Sequence, residues 1–568
     1  RKSIAAYVYC INTTGIEHRA KMSLVLKDGD QIVAEKTLEA AIGKSSEEVL
    51  NIELDGIENI DLWDIDSPKL YDAEIRLESD EFSDTFATRI GFREAVSKED
   101  GFYLNGRKVK LRGLNRHQSY PYVGYAMPKR VQRKDADILK NELGLNIVRT
   151  SHYPQSRHFI DRCDELGLLV LEEIPGWQHI GDDEWKKVAV KNVEEMVKRD
   201  WNHPSIVLWG VRINESRDDH DFYVQTNAVA HKLDPTRQTG GIRYLTHSEL
   251  LEDVYTMNDF IHSGGEIVLR DQKEVTGLEE YVPYLVTEYN GHMYPTKRFD
   301  NEERLIEHAM RHIRVLDAAG RDEHISGCIG WCAFDYNTHM DFGSGDRICY
   351  HGVMDMFRIP KFAAYSYKSQ LPPDREVVLE PVTIYTRGER SIGGIVPLTV
   401  LTNCDYVEFI YGGQKLGRFY PDKERYPGIP HPPVVIKDIP GEWGTDWREG
   451  EFIGYVGGKE AARRKFSANP IATRLVAVAD DEVLSADEPD ATRVVYKLVD
   501  QEGNLLPFAN EIVKFDISGP GEIIGPKEVA LIGGCIAVWI KTRNEEGRIT
   551  LTASGPRFTA NEVEIDVR

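Results

Sequence analysis

Two glutamates in this 568-residue chain stand where apolar runs end: Glu215 closes WGVRINE and Glu288 closes YLVTE. An acid leaving a buried strand costs several kcal/mol unless it is paired or put to use. The dipeptide Asn-Glu means little by itself, since it occurs six times, but only Asn214-Glu215 terminates such a run. Two carboxyls across one pocket suit cleavage of a glycosidic bond. One, protonated, donates to the leaving oxygen; the other, ionised, attacks the anomeric carbon or activates water. The plainer reading is a pair of rim carboxylates held by arginine or backbone groups.

The elements that must position these acids lie between about 94 and 371. Eight short apolar runs recur there, at 109–115, 146–150, 168–174, 205–213, 240–245, 253–258, 284–289 and 325–336, with helical segments between most of them. Near-continuous apolar strands alternating with helices over about 250 residues predict a (β/α)8 TIM barrel, whose reactive groups sit at the C-terminal ends of its strands. Glu215 then ends strand four and Glu288 strand seven. A doubly wound open sheet fits less well, because no GxGxxG follows the first strand. Residues 1–93 alternate in β-rich runs without helical periodicity, and the same grammar returns after Pro372-Pro373. The expected fold class is therefore multidomain α/β plus all-β. An immunoglobulin-like sandwich (1–93) precedes the barrel (94–371), and two β-sandwich domains (372–470 and 471–568) follow it. The stretch 420–443, with six prolines, reads as an ordered surface excursion rather than a strand.

Lys and Arg number 70 against 93 Asp and Glu, a net charge of −23, which argues against nucleic acid or an anionic membrane as partner. No apolar run approaches the ~18–20 residues that span a bilayer. The seven cysteines are scattered, without a CxxC pair, and point to free thiols and a cytoplasmic protein. The chain opens at Arg1 already in strand-like sequence, which reads as a fragment or processed chain and leaves a signal peptide open. No HExxH or Cys/His pattern supports a metal centre. Cys328 and Cys332 fall on one face of strand eight, as packing residues.

The motifs RGLNRHQ (112–118), LGLNIVRTSHYPQ (143–155), DELGLLVLEEIPGW (164–177), RDWNHPSIVLWGVRINES (199–216), LVTEYNGH (285–292) and GWCAFDY (330–336) occur in this order through the barrel. In them the chain resembles glycoside hydrolase family 2, the group of β-galactosidases, β-glucuronidases and β-mannosidases. The resemblance implies a retaining double displacement on an oligosaccharide or glycoside, with Glu215 as acid/base and Glu288 as nucleophile. It implies flanking β-domains, often a homo-oligomer, and a leading sugar-binding jelly roll that this chain lacks. It gives Asn214 the sugar's 2-hydroxyl, His117 and His152 other hydroxyls, and Trp331 the sugar's apolar face. Arg149 would hold the nucleophile ionised. A strand-end cap, structural histidines and a core tryptophan are the plainer alternatives. No cofactor is implied; some relatives use Mg²⁺ or Na⁺, for which no ligands are placed here.

Two departures stand out. Phe260 occupies the usual place of a tyrosine that touches the nucleophile, a support that Tyr255 or Tyr289 would have to replace. The strand-four motif also carries an extra residue, Arg212. The stretch 347–358 lacks the Asn-x-Lys pair of the family's glucuronidases, so an exo-acting β-galactosidase is the first reading. Arg212 keeps a β-galacturonidase or β-glucuronidase as runner-up, since guanidinium suits a substrate carboxylate. An ion pair with Glu172 or Glu173 is the plainer account of it. A catalytically silent carbohydrate-binding protein is the alternative of another class, against which both acids speak.

Overall fold

The computed structural model describes residues 2–390, 394–437 and 446–568. Eight parallel strands close into a barrel in chain order: β1 (Leu111–Asn115), β2 (Ile147–Thr150), β3 (Leu169–Glu173), β4 (Ile206–Gly210), β5 (Gln238–Arg243), β6 (Val254–Asn258), β7 (Tyr284–Glu288) and β8 (Gly327–Gly330). Helices α1 (Lys129–Asp137), α2 (Arg157–Leu166), α3 (Asp183–Asp200), α4 (His220–Leu233), α5 (Gln272–Thr276) and α6 (Glu302–Arg321) lie between them. Among the described residues no helix joins β5 to β6.

Local chemistry starts the long helices. Asp182 accepts from the Trp185 amide at 3.0 Å to cap α3, and Asn301 accepts from the Arg304 amide at 2.9 Å to cap α6. Both carry acids in the first turn, where the helix dipole favours them. Helix α2 ends at Gly167, in the left-handed region at φ 71°. A Cβ there would stand 2.6 Å from the Ile65 carbonyl, so only glycine lets the preceding domain approach this closely.

That domain is a two-stranded sheet (Ser3–Ile11 with Glu47–Asp55) facing a four-stranded one (Gln31–Ile42, His18–Asp28, Tyr71–Glu78, Ser83–Ile90). Its Trp63 joins Phe102 and Leu104, from the small sheet Ala95–Val109, against the barrel-filling Ile147, Leu171, Leu208 and Ile242. This packing seals the N-terminal end of the barrel. Two further sheet pairs follow the barrel, with separate apolar cores around Phe409 and Phe452 and around Trp539 and Phe515. No helix among the described residues is long and apolar enough to cross a membrane.

Three sequence expectations need correction. The apolar run of strand four extends to 213, but the strand stops at Gly210; Val211, whose amide still bonds to the Gly240 carbonyl, and Ile213 are fully buried in the apolar layer that also holds Val193 and Phe222 of the helices. Strand eight likewise stops at Gly330, so Cys332 lies past its end, although both it and Cys328 are buried. In these two runs the apolar pattern records burial, which does not require a sheet partner. Within the proline-rich excursion, Val434–Ile436 pairs with Leu398–Thr402 as a strand, because its β-branched residues follow the last proline of the 430–433 cluster. The remainder, 438–443, lies outside the described residues.

Candidate active site

Both acids line one cavity of about 530 Å³ at the C-terminal end of the barrel, together with His117, His152 and Trp331. Glu288 ends β7 and is 4% exposed. A register shift between Met257 and Asn258 sets Asn258 beside it on β6. Glu215 lies five residues beyond β4, in the left-handed region at φ 53°. Its amide bonds to the Ile242 carbonyl of β5 (2.9 Å), and the Gln178 amide bonds to the Asn214 carbonyl (2.7 Å). The segment is thus held by both neighbouring strand ends, which fixes an otherwise disfavoured backbone.

Arg149, fully buried at the end of β2, organises the floor. Its Nη1 donates to Glu288 at 2.5 Å and to Asn115 Oδ1 at 2.9 Å. Its Nε and Nη2 grip Glu173 in a two-pronged pair at 2.8 and 2.7 Å, and Nη2 also reaches Asn214 Oδ1 at 2.9 Å. Burial pushes the Glu288 carboxyl up, to about 8; Arg149 opposes this and the charge of Glu215 adds to it. Glu215 is half-buried and accepts from Asn258 (3.0 Å), Gln178 (3.1 Å) and Trp177 Nε1 (3.2 Å). Burial lowers the pKa of His152, against its bond to Glu173, and holds that of His117 well below the usual imidazole range. Neutral rings of this kind both donate and accept hydrogen bonds. His152 stacks on Trp331 at 5.1 Å, His117 meets the same ring edge-on at 5.3 Å, and Trp331 lies 4% exposed in the cavity wall. The Nδ2 of Asn214 is buried without a hydrogen-bond partner, a donor left over for something that enters the cavity. Two carboxyls in one recess, one backed by an arginine and the other ringed by neutral donors, can divide proton donation from nucleophilic attack.

The model of the TIM barrel domain of glycosyl hydrolases family 2 matches residues 95–373, another family 2 model matches 11–93, and that of the family's C-terminal domain 5 matches 475–564. A β-galactosidase of Thermoanaerobacterium thermosulfurigenes is 63% identical over 494 residues, covering 86% of this chain and 69% of its own length. The chain belongs to glycoside hydrolase family 2. A β-galactosidase of Thermoanaerobacter pseudethanolicus is 47% identical over 516 residues, 89% of this chain and 68% of that one. In fold, the chain is similar to a β-glycosidase from Bacteroides vulgatus, with a TM-score of 0.79, 20% identity, and coverage of 99% of this chain and 79% of that one.

In this glycoside hydrolase the structure brings together Glu215, Glu288, Asn214, Arg149, His117, His152 and Trp331. Arg212 does not join them. It is 1% exposed, pairs with Asp218 rather than with Glu172 or Glu173, and lies with its guanidinium 4.5 Å from the Tyr223 ring of α4. Strict alternation would put Arg212 and Asn214 on one face, but beyond Gly210 the segment leaves the ladder, so Asn214 meets Arg149 while Arg212 lies against α4. Glu172 and Glu173 are taken by Arg199 and Arg149. Phe260 does line the cavity, edge-on to His292 at 4.6 Å. Neither proposed substitute reaches Glu288: the Tyr289 hydroxyl bonds to Tyr367 at 2.6 Å, and Tyr255 stacks on Tyr284 under Arg243.

Sequence reading missed Asn115, Glu173 and Asn258. Each is a polar residue at the C-terminal end of an apolar barrel strand, the signal that marked Glu288, so the same rule applied to every strand finds them. It also missed Trp177 and Gln178, which sit in a loop and carry no such mark. Among the described residues, one histidine and carboxylate group has atoms close enough to share a cation: Asp161, Asp164 and His203. Asp164 ends α2 and His203 precedes β4, at the sealed end of the barrel, so the group has no part in chemistry at the mouth.

Proposed function

We propose that this enzyme is an exo-acting retaining β-galactosidase, with Glu215 as acid/base and Glu288 as nucleophile. The observation that carries the reading is the pairing of these two acids in one cavity of a chain 63% and 47% identical to proteins named β-galactosidase. The charge of Glu215 is felt by Glu288 across the cavity. In the reactive form the pair holds one proton, which the glycosidic oxygen takes from Glu215. Arg149, bonded to Glu288, stabilises the carboxylate that attacks the anomeric carbon. A galactosyl ester forms on Glu288 as the aglycone leaves with the proton. Glu215, now a carboxylate, takes a proton from water, which attacks the same carbon from the opposite side and releases the β-anomer. The free Asn214 Nδ2 suits the sugar's 2-hydroxyl, and the neutral His117 and His152 suit other hydroxyls. Trp331 offers the ring surface between them.

A neutral sugar fits better than a uronide. No Lys or Arg lines the cavity among the described residues, and Arg212 is engaged elsewhere. The seven buried free thiols support a reducing, cytoplasmic setting. The deciding assay compares nitrophenyl β-galactoside, β-galacturonide, β-glucuronide and β-mannoside; the galactoside should give the highest kcat/KM, and a preference for either uronide ends the galactosidase reading. Retention requires the Glu215 and Glu288 carboxyls to lie about 5–5.5 Å apart, against roughly 6.5–9.5 Å for inversion. Proton NMR of the first-formed sugar checks it independently, with the β-anomer expected.

A further inference from the structure

A second cavity, of about 260 Å³, lies where the barrel meets both sheet pairs that follow it. Four cations and one acid line it: Arg298, Lys361, Arg464 and Lys497 against Glu380. In a chain of net charge −23 that is a local reversal of sign. Three of the cations are engaged. Arg298 donates to Asp355 at 3.0 Å and to the Ile359 and Pro360 carbonyls at 2.5 and 2.7 Å. Lys361 donates to Asp335 and to the Thr296 carbonyl, each at 2.7 Å. Arg464, on the strand Lys459–Phe466, donates to Glu380 at 2.9 Å and to Asn504 Oδ1 at 3.3 Å.

Lys497 is left over. It lies on the strand Ala491–Val499 of the last sandwich, on the same face as Arg493, which bonds to the Phe357 and Arg358 carbonyls of the barrel domain. Among the described residues the Lys497 ammonium has neither a hydrogen-bond partner nor an ion pair, and the Tyr365 hydroxyl of the same lining has no hydrogen bond either. Lys497 is exposed, so an ion can reach it from solvent. Its charge acts on Glu380 together with those of Arg464 and Lys368, so that three cations face the single acid. Surplus positive charge, a free ammonium and a free hydroxyl make the donor set of an oxyanion. We infer that this cavity binds a small oxyanion of the phosphate type, free or as a monoester, held chiefly by Lys497. Its volume, set against about 30 Å³ for a water molecule, admits the anion and a short substituent. Neither Glu215 nor Glu288 lines it, so the site is separate from the catalytic cavity, and an ion there would tie the last sandwich to the barrel.

Calorimetric titration of the whole chain with inorganic phosphate, at an ionic strength held constant with sodium chloride, tests the site. Wild type should bind phosphate saturably, and phosphate should raise Tm, since a ligand of the folded state stabilises it. Lys497→Met keeps the aliphatic stem and should weaken binding about 10- to 150-fold, the worth of one charged contact. Its Tm without phosphate should match that of wild type, which separates lost binding from lost folding. Lys497→Arg keeps the charge and should restore most of the affinity. Lys465→Met removes an exposed lysine that faces Glu451 outside the cavity, and should change nothing. Glycerol phosphate, titrated alongside, distinguishes the sources: tighter binding than phosphate assigns the ligand to a monoester, equal or weaker binding to the free ion. No saturable binding to wild type, full binding by Lys497→Met, or an equal loss in Lys465→Met overturns the site and leaves Lys497 as a distant counter-charge to Glu380.

Discussion

Glu288 and Glu215 carry the same functional group into different surroundings, and their tests follow from the difference. On the proposed mechanism, Glu288→Gln removes the attacking carboxylate and should bring every galactoside to the assay floor. Glu215→Ala should slow substrates with poor leaving groups by roughly 10²- to 10⁴-fold, the usual worth of general acid catalysis, while an activated dinitrophenyl galactoside still forms the glycosyl-enzyme. Azide should then rescue turnover to a β-galactosyl azide, since it needs no general base; rescue of Glu288→Ala to an α-product would exchange the two roles. The pH profile tests the coupling. Burial and the charge of Glu215 raise Glu288 to about 8; since Glu288 attacks only when ionised, kcat/KM on the activated substrate should climb as the pH rises toward that value. In Glu215→Gln, assayed on the same substrate, this climb should move to lower pH. Glu288 should then titrate lower, because the charge that raised it has gone. A climb that stays at the same pH would rule out Glu215 as a cause of the shift.

Glu215 is only as well placed as the loop that carries it, and the clasp on that loop is the pairing of Arg212 with Asp218. Asp218 also accepts from the Ser248 hydroxyl at 2.5 Å and from the Glu249 amide at 3.1 Å, in the connection between β5 and β6. Ser216 bonds to the Tyr223 hydroxyl on α4 at 2.5 Å. These contacts flank Glu215 on both sides and tie an unpaired strand extension to its neighbours. Arg212→Ala should therefore lower Tm by a few degrees, in line with a cost of about 1–3 kcal/mol for a broken buried polar contact. It should lower kcat/KM on galactoside and galacturonide by the same factor. A loss confined to the galacturonide would return Arg212 to the substrate.

Across the molecule, the barrel and the last sandwich are joined through buried charge. Asp135 on α1 accepts from Arg116 at 2.7 Å and from Arg358 at 3.0 Å, and the Arg358 guanidinium lies 3.9 Å from the Tyr120 ring. Arg493 of the sandwich donates to the Phe357 and Arg358 carbonyls at 2.9 Å each, and Arg130 on α1 forks onto Asp490. Burial raises the Asp135 carboxyl, but Arg358 and Arg116 outweigh it and bring it to about 2. A depressed carboxylate stabilises the fold above its unfolded pKa and loses that contribution as pH falls through the folded one. Asp135 thus contributes about 2 kcal/mol above pH ~4, lost as the pH drops toward 2. Asp135→Asn leaves two buried arginines short of charge and should cost on the order of 3–5 kcal/mol. Thermal unfolding at pH 7 should show it, with the gap between variant and wild type narrowing on acidification toward pH 2.

The amino-acid sequence determined the eight strands, the barrel they close and the two acids, because strand-end polarity after an apolar run is a local pattern. Applied without exception, that rule would also have named Asn115, Glu173 and Asn258. What Arg212 does was decided only in the tertiary structure. Its spacing from Glu215 admits a reach to the mouth or toward α4, and the choice depends on Asp218 and Tyr223 being there to receive it. Where β4 and β8 end was equally hidden, since Val211 and Ile213 are apolar because they fill the core shared with the helices, whether or not the strand continues. The contacts of Trp177 with Glu215 and with Phe342, 165 residues further along the chain, exist only once β3 and β8 share a barrel. Local sequence records which residues must be buried and which must turn. Which side chain meets which across the mouth is set by closure of the sheet, to which every strand contributes at once.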